Sequence, residues 1–173
     1  MSIAFQSRSV RRVPFRFHQI EPDLFVGPCP TEPEHSKALA AAGIGALLSL
    51  QTDDDLRALG LRWEVLWRSH LAAGLNAERV PIRDFDKREL AARVGDAVAA
   101  WQRLSEGGRA VYIHCTAGLN RSPTMIIAVL ALRQQGAVEA AEARLMAGHP
   151  GAVPYVDTIA QWWKATRGRS QGG

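Results

Sequence analysis

Cysteine is scarce in this sequence, and no apolar run is long. The 173 residues include two cysteines, Cys29 and Cys115, which form neither a CxxC pair nor a zinc-ligand spacing. Two cysteines cannot supply the disulfide framework of a small secreted domain, and we expect a reducing, cytoplasmic environment. The longest apolar stretch, around 125–132, is about half of the roughly 18–20 residues that a membrane-spanning helix needs. We therefore expect neither a disulfide scaffold nor a membrane partner.

A surplus of positive charge is confined to the N-terminus. The formal net charge is +4. Four arginines precede the first acidic residue: Arg8, Arg11, Arg12 and Arg16. Without them, 21 − 4 = 17 basic residues face 17 acidic ones, so the body of the chain is neutral and nucleic acid is a disfavoured partner. We expect residues 1–17 to form a basic tail, with a polyanion-binding arm and an organellar transit peptide as alternatives.

Apolar runs of strand length alternate with amphipathic segments of helix length along the rest of the chain. Strands are predicted in DLFVG, GALLSL, AERVPI and AVYIHC, and helices in EHSKALAAAGI, residues 90–104, SPTMIIAVLALRQQG, EAAEARLMAG and YVDTIAQWWKATR. This alternation favours an α/β fold with a central, mostly parallel sheet flanked by helices. The length of 173 residues suits one domain, expected over 18–166, followed by a disordered tail over 167–173.

The stretch VYIHCTAGLNRSPT joins a predicted strand to a predicted helix. Five residues separate Cys115 from Arg121: Thr116, Ala117, Gly118, Leu119 and Asn120. A glycine-containing loop of this length before a helix can direct successive backbone N–H groups, and the positive end of the helix dipole, at one anion. Arg121 would add a planar fork of donors for two phosphoryl oxygens. The loop therefore predicts a site for a phosphate ion or phosphoryl group.

Cys115 and Ser122 are the candidate reactive groups of this loop. A thiol at a helix N-terminus beside a cation is expected to ionise, which would make Cys115 a nucleophile. Ser122 would donate a hydrogen bond to the thiolate and later help it to leave. Because no lysine follows the glycine, the loop is not a nucleotide-binding P-loop with its magnesium ion. We expect attack on a phosphomonoester without metal or cofactor, with an inert packed cysteine as the alternative.

Carboxylates occur in two clusters. VPIRDFD ends a predicted strand and offers Asp84 and Asp86, either of which could face the loop as the general acid that protonates the leaving oxygen. The second cluster is Asp53, Asp54 and Asp55, whose side chains must point in different directions. We interpret these three as the N-terminal turn of a helix and not as a metal site.

The loop HCTAGLNRS resembles the signature loop of cysteine-dependent protein tyrosine and dual-specificity phosphatases. EPDLFVGPCP, LLSLQTDDDL, VPIRDFD and AVPYVDTI also resemble stretches of the plant laforin-like glucan phosphatases, so the resemblance covers roughly residues 18–160. It implies the dual-specificity phosphatase fold. It also implies that His114 supports the loop by hydrogen bonding and has a structural role.

The resemblance assigns the catalytic roles residue by residue. It implies that Cys115 is the nucleophile and that Arg121 binds the phosphate. Asp84 is implied as the general acid, in preference to Asp86, because it stands directly before Phe85. Phe85 is implied to lie on the rim of the active site.

Departures from the glucan phosphatases limit the prediction of substrate. Asn120 and Ser122 stand where Gly and Ala are typical, and Val153 replaces an aromatic residue. Four aromatic residues could still stack on sugar rings or accept phosphotyrosine: Trp63, Trp67, Phe85 and Tyr155. We expect a protein phosphatase for phosphotyrosine, phosphoserine and phosphothreonine. The alternatives are a phosphoglucan phosphatase, an RNA 5′-triphosphatase, which the Asn before the Arg suggests, and a pseudophosphatase that only binds phosphorylated partners.

Overall fold

The central sheet has five short strands within residues 15–170, the part of the chain that the structure, a computed structural model, describes. The strands are β1 (His18–Glu21), β2 (Leu24–Gly27), β3 (Ala46–Ser49), β4 (Asn76–Arg79) and β5 (Val111–His114). Their order in the sheet is β1-β2-β5-β3-β4. β1 and β2 form an antiparallel hairpin, and all other neighbouring pairs are parallel. The prediction of a mostly parallel sheet is therefore confirmed.

Helices cover both faces of the sheet. The described residues form α1 (Pro33–Ala41), α2 (Asp53–Ala58), α3 (Trp63–Ala72), α4 (Lys87–Leu104), α5 (Arg121–Gln134), α6 (Val138–Gly148) and α7 (Val156–Ser170), with a 3-10 turn at Glu106–Gly108. α4, α5, α6 and α7 pack on one face, and α1 and α3 pack on the other. The fold is thus the three-layer α/β arrangement that the alternation of strands and helices predicts.

The core follows from the apolar runs of the sequence. In β5, Val111 and Ile113 face the layer of α4 to α7, while Tyr112 faces the opposite layer. α5 is apolar nearly all round, and every residue from Arg121 to Ala131 is buried. Within residues 15–170, no helix combines the length and hydropathy needed to cross a bilayer.

The carboxyl ends of the four parallel strands meet at one edge of the sheet. The register brings their last residues side by side: Gly27, Ser49, Arg79 and His114. The segments that follow contain Cys29, Asp55, Asp84 and Cys115. Open α/β sheets place ligands at this edge, so these four residues lie near the edge of the sheet where the topology favours a site.

The N-terminal boundary differs from the prediction of a tail over 1–17. Phe17 lies within that range, yet its ring packs 6.2 Å from the ring of Phe25 and 6.0 Å from that of Tyr112, measured between centroids. Burial of aromatic surface ties this end of the segment to the sheet. The rest of the predicted tail, 1–14, lies outside the described residues.

The C-terminal boundary also lies further along the chain than expected. α7 continues to Ser170, past the boundary predicted at residue 166. Gly168 does not end the helix, because a glycine inside a helix costs only about 1 kcal/mol relative to alanine. Residues 171–173 of the predicted tail lie outside the described part of the chain.

Candidate active site

The loop that follows Cys115 curls tightly at Gly118. Gly118 has a φ of +73°, and a Cβ at this position would lie 2.3 Å from the carbonyl carbon of Gly27. Only glycine combines this left-handed backbone with so close an approach. The backbone N–H of Cys29 donates to the carbonyl of Thr116 at 3.1 Å, which joins the loop to the segment after β2.

The loop leads directly into the N-terminus of α5, which begins at Arg121. Asn120 is the N-cap residue, but its side chain turns to another segment, where the amide donates to the carbonyl of Val153 at 2.6 Å. The N–H groups of a first helical turn have no intrahelical partners. These donors and the positive end of the helix dipole therefore face the loop, as an anion site requires.

Cys115 lies at the base of the loop beside Ser122. The Cys115 residue is 3% exposed. The Ser122 hydroxyl is 3.3 Å from Cys115 Sγ and donates to it. The structure therefore brings Ser122 to the sulfur, in a position to stabilise a thiolate.

His114 is fully buried behind the loop. Its Nδ1 lies 3.1 Å from the carbonyl oxygen of Cys115. Burial lowers the pKa of His114 to about 3, with the charge of Arg121 acting in the same direction against the backbone hydrogen bond. His114 is therefore a neutral imidazole that donates to the loop backbone, which suits the structural role that the resemblance implies.

The Arg121 guanidinium is held by an acidic residue from α2. Nη1 donates to Asp55 Oδ2 at 2.7 Å and Nη2 to Asp55 Oδ1 at 3.3 Å. Nη1 also donates to the carbonyl of Ile82 at 2.7 Å, and Nη2 to Thr116 Oγ1 at 3.2 Å. Nε is buried without a hydrogen-bond partner among the described residues. One donor thus remains for an oxygen atom that enters the loop.

Mutual attraction keeps this pair charged. Burial on its own lowers the pKa of Arg121, but the hydrogen bond to Asp55 and the charges of Cys115, Asp55 and Asp84 raise it above its ordinary value. Burial likewise raises the pKa of Asp55, and hydrogen bonds from Arg121 and Thr52 outweigh this and hold it below its ordinary value. A full positive charge therefore persists inside the loop.

Sequence reasoning missed the contact of Asp55 with Arg121. Thr52 and Asp55 form a capping box, in which the Thr52 N–H donates to Asp55 Oδ2 at 2.8 Å and the Asp55 N–H donates to Thr52 Oγ1 at 3.2 Å. The capping pattern was readable in QTDDDL, and so was its place after a predicted parallel strand. That pattern fixes the direction of the carboxylate, and α2 then presents it to Arg121.

The interpretation of the three consecutive aspartates as a helix N-terminus is confirmed. All three lie in the first turn of α2. Asp53 pairs with Arg79 at 2.6 Å, and Asp54 pairs with Arg57. Among residues 15–170, no group of three His, Cys, Asp or Glu side chains could hold a metal ion.

The two candidate acids have different surroundings. Asp84 Oδ1 lies 3.2 Å from Arg121 Nε, an ion-pair contact without the angle of a hydrogen bond. Asp86 is the N-cap of α4 and accepts from the N–H groups of Arg88 at 3.1 Å and Glu89 at 2.9 Å. The structure therefore brings Asp84 to the loop and engages Asp86 elsewhere.

Three exposed apolar side chains lie on the loop or on segments that contact it. Phe85 is 82% exposed and has a φ of +58°, a conformation that strains a bulky residue by roughly 1–3 kcal/mol. Leu119 and Val153 are exposed as well, and the Val153 N–H donates to the Leu119 carbonyl at 2.6 Å. We call Phe85, Leu119 and Val153 the apolar rim.

The other three aromatic candidates have different positions. Trp63 packs under Arg79, whose guanidinium carbon is 5.4 Å from the ring centroid. Tyr155 packs under Lys87 at 4.9 Å from the ammonium nitrogen. Trp67 is 40% exposed and lines a groove beside the edge strand β4. Of the four aromatic candidates, Phe85 is the one that belongs to the apolar rim.

Cys29 is a packed thiol near the loop. It is buried against Leu56 and Leu66. Burial raises its pKa to about 12, although a hydrogen bond from Gln51 acts in the opposite direction. The thiol is therefore protonated at neutral pH, which suits a packing role and makes it a poor nucleophile.

Similarity to curated proteins extends over most of the chain. Phosphoglucan phosphatase DSP4, amyloplastic, of Castanea sativa is 32% identical over 117 residues, which cover 66% of this chain and 31% of that protein. Dual specificity protein phosphatase 12 of Homo sapiens is 31% identical over 136 residues, which cover 78% of this chain and 36% of that protein. The chain thus spans about a third of the length of these two relatives.

The fold and the family are also shared with known proteins. The crystal structure of PTPMT1 in complex with PI(5)P superposes with a TM-score of 0.74 at 18% identity, covering 89% of this chain and 98% of that chain. Identity this low establishes the fold alone. The family profile "Dual specificity phosphatase, catalytic domain" matches residues 24–161. Since this match covers most of the described residues, the chain belongs to the family of dual specificity phosphatase catalytic domains.

Proposed function

We propose that this protein is a dual-specificity protein phosphatase that hydrolyses phosphomonoesters through a phosphocysteine at Cys115. The observation that carries the proposal is the hydrogen bonding of the Arg121 guanidinium. Asp55 accepts from Nη1 and Nη2, while the buried Nε has no hydrogen-bond partner among the described residues. A fixed guanidinium with one open donor, in the same loop as a thiol that accepts from Ser122, suits a phosphoryl group. We propose that the catalytic domain spans residues 18–166, extended by Phe17, which packs on the sheet, and by the end of α7 at Ser170.

Substrate binding would use the loop and displace one contact. The phosphoryl oxygens would accept from the backbone N–H groups of residues 116–121 and from Arg121 Nε. Asp84 now lies 3.2 Å from that nitrogen. The phosphoryl group would take over this ion pair, and the displaced Asp84 would take up a proton from water and lie near the leaving oxygen, ready to donate it. The apolar rim would contact the part of the substrate next to the phosphate.

The chemistry would proceed in two displacements. In the first, Cys115 Sγ bonds to phosphorus as the bond from phosphorus to the leaving oxygen breaks, and Asp84 gives its proton to that oxygen. In the second, Asp84 takes a proton from a water molecule, the water oxygen bonds to phosphorus, and the bond between sulfur and phosphorus breaks. The Ser122 hydroxyl donates to the departing thiolate, and inorganic phosphate is released.

The apolar rim is the basis for the proposed substrate class. We propose phosphorylated side chains of proteins first, because Phe85 is an exposed aromatic that can lie against a peptide or a phosphotyrosine ring. A phosphoglucan is the second candidate, favoured by the 32% identity to a protein named as a phosphoglucan phosphatase. The contact of Asp84 with Arg121 disfavours RNA 5′-triphosphatase chemistry, which does without a comparable acid. Because the thiol must stay reduced, we propose that the protein acts in the cytoplasm.

The test is phosphate release from matched substrates. Wild-type protein is compared on phosphotyrosine and phosphoserine peptides, solubilised phosphorylated amylopectin and 5′-triphosphorylated RNA. We expect the highest kcat/KM on a peptide, and we expect Cys115→Ser to abolish release on all of them. Denaturation during turnover should trap phosphate on the wild-type chain and not on the Cys115→Ser chain.

Three results would overturn the proposal or its substrate class. Release by Cys115→Ser at a sizeable fraction of the wild-type rate would exclude the phosphocysteine. Wild-type protein that binds phosphopeptide without turnover would instead be a pseudophosphatase. A higher kcat/KM on amylopectin than on any peptide would establish the second candidate.

A further inference from the structure

A short segment after α6, residues 149–153, contacts three consecutive residues of the catalytic loop. His149 Nε2 lies 2.9 Å from the carbonyl oxygen of Gly118. The Val153 N–H donates to the Leu119 carbonyl at 2.6 Å, and the Asn120 side-chain amide donates to the Val153 carbonyl at 2.6 Å. We call residues 149–153 the supporting segment.

These contacts determine the direction of two backbone N–H groups. In a trans peptide the C=O and the N–H point in opposite directions, and within residues 15–170 no peptide bond is cis. Because the carbonyls of Gly118 and Leu119 point at the supporting segment, the N–H groups of Leu119 and Asn120 point away from it. That is the orientation that a nest of amides around a phosphoryl group requires.

His149 is a buried histidine with one of its two ring nitrogens hydrogen-bonded. It is 5% exposed, and its ring stacks on that of His18 with centroids 3.9 Å apart and an angle of 17° between the planes. Since a carbonyl oxygen only accepts, Nε2 must carry the hydrogen. Nδ1 is then buried without a hydrogen-bond partner among the described residues, which costs free energy that an apolar side chain would avoid. The hydrogen bond to the Gly118 carbonyl is the contact that an apolar side chain at position 149 could not make.

We propose that His149 is a positioning residue for phosphate binding, which acts by holding the Gly118 carbonyl away from the phosphoryl group. The proposal rests on the phosphatase function proposed above. His149 touches no substrate atom in this scheme. Its effect passes through the peptide between Gly118 and Leu119, so it should appear in affinity for phosphate-shaped anions as well as in turnover.

The test compares two amides that each replace one nitrogen of the ring. In His149→Gln the amide nitrogen can occupy the place of Nε2 and donate to Gly118. In His149→Asn the shorter side chain places its amide near the position of Nδ1, where no acceptor lies. Both variants are polar and close in volume, so they differ mainly in this one hydrogen bond.

The measurements are the affinity for orthovanadate, KM and kcat on p-nitrophenyl phosphate, and the urea midpoint of unfolding. We expect His149→Asn to bind vanadate about threefold to tenfold more weakly and to raise KM by a similar factor, which is the net effect of one neutral hydrogen bond. His149→Gln should stay within about twofold of wild type. If His149→Asn does not fold, His149→Leu takes its place in the comparison with the same expectation.

His70→Asn is the matched control. His70 is another buried histidine, which bonds to Ser36 Oγ at 2.9 Å on the opposite side of the sheet. We expect its substitution to change the urea midpoint and to leave vanadate affinity and KM as in wild type. If His149 has a purely structural role, its substitution should also change the urea midpoint and leave vanadate affinity and KM as in wild type.

The proposal is overturned if His149→Asn and His149→Leu keep wild-type vanadate affinity and KM, or if His149→Gln loses as much as His149→Asn. Failure of the phosphatase proposal looks different. In that case the wild-type protein itself would not turn over p-nitrophenyl phosphate, and vanadate binding, measured by calorimetry, would still report on His149.

Discussion

Substitution of Asp55 by asparagine removes one negative charge from the pair with Arg121 and nearly conserves the volume of the side chain. The Arg121 side chain is 1% exposed and that of Asp55 is 15% exposed, so the pair is shielded from water. Removing one partner of a buried pair costs about 3–5 kcal/mol, because the remaining charge is uncompensated. Asp84, at 3.2 Å from Arg121 Nε, still supplies a negative charge. We therefore expect the free energy of unfolding to fall by about 2–3 kcal/mol at pH 7.

The same substitution should lower activity, because Asp55 holds two of the three guanidinium nitrogens. A hydrogen bond to a charged group contributes about 1.5–3 kcal/mol. If half or more of that free energy orients Arg121 in the transition state, kcat/KM falls by about 4-fold to 150-fold. The loss should appear on every phosphomonoester, since in the proposed mechanism Arg121 contacts the phosphoryl group and not the leaving group.

The assay is urea unfolding together with kcat/KM on p-nitrophenyl phosphate, with Asp54→Asn as control. The Asp54 side chain is 85% exposed and pairs with Arg57 on the surface, so its substitution should change stability by no more than about 0.5 kcal/mol. The pKa of Asp55 is lowered, so its contribution to stability is present above its ordinary pKa of about 3.9 and is lost as pH falls through the lowered pKa. The difference in the free energy of unfolding between wild type and Asp55→Asn should therefore narrow as the pH falls below the ordinary pKa of about 3.9. Equal effects of the two substitutions would refute this reasoning.

Two further predictions concern the acid and the response to pH. Asp84→Ala should lower kcat on alkyl phosphates by about 10²-fold to 10⁴-fold and lower it less on aryl phosphates, while Asp86→Ala should cost about 1 kcal/mol of stability as a lost helix cap with little loss of turnover. Equal losses of turnover would transfer the acid role to Asp86. Burial lowers the pKa of His70 to about 4, so the unfolded chain binds more protons than the folded one between that value and about 6.5. As the pH decreases from about 6.5 to about 4, the free energy of unfolding should fall by up to about 1.4 kcal/mol per pH unit because of His70. His70→Asn should flatten this dependence, measured by urea unfolding. If the pH dependence of the free energy of unfolding is the same in His70→Asn as in wild type, His70 is not its source.

Most of the fold could be predicted because its information is local. β2, β3 and β5 are buried apolar runs of strand length, and α5 is apolar on all sides, so each element is recognisable within its own residues. The ends of the chain were predicted less well. Phe17 belongs to the sheet only because Phe25 and Tyr112 form an aromatic surface beside it, and those partners come from distant strands.

The candidate catalytic loop could be predicted for the same reason. Cys115, Gly118, Arg121 and Ser122 lie within eight consecutive residues, so their spacing is set by the covalent chain. The choice between Asp84 and Asp86 was open at the level of the residues, since both follow the same strand. It depends on the place where α4 begins, because the carboxylate of Asp86 is used by that helix as its cap.

The sequence by itself therefore determined the α/β fold, and it predicted the candidate nucleophile and the candidate phosphate-binding loop that this fold carries. Only the tertiary structure decided which side chains hold the loop in its working geometry. Asp55 reaches Arg121 across 66 positions and His149 reaches Gly118 across 31. Contacts of this kind depend on how the strands align and how the helices pack, and a pattern of residue types does not encode those distances directly.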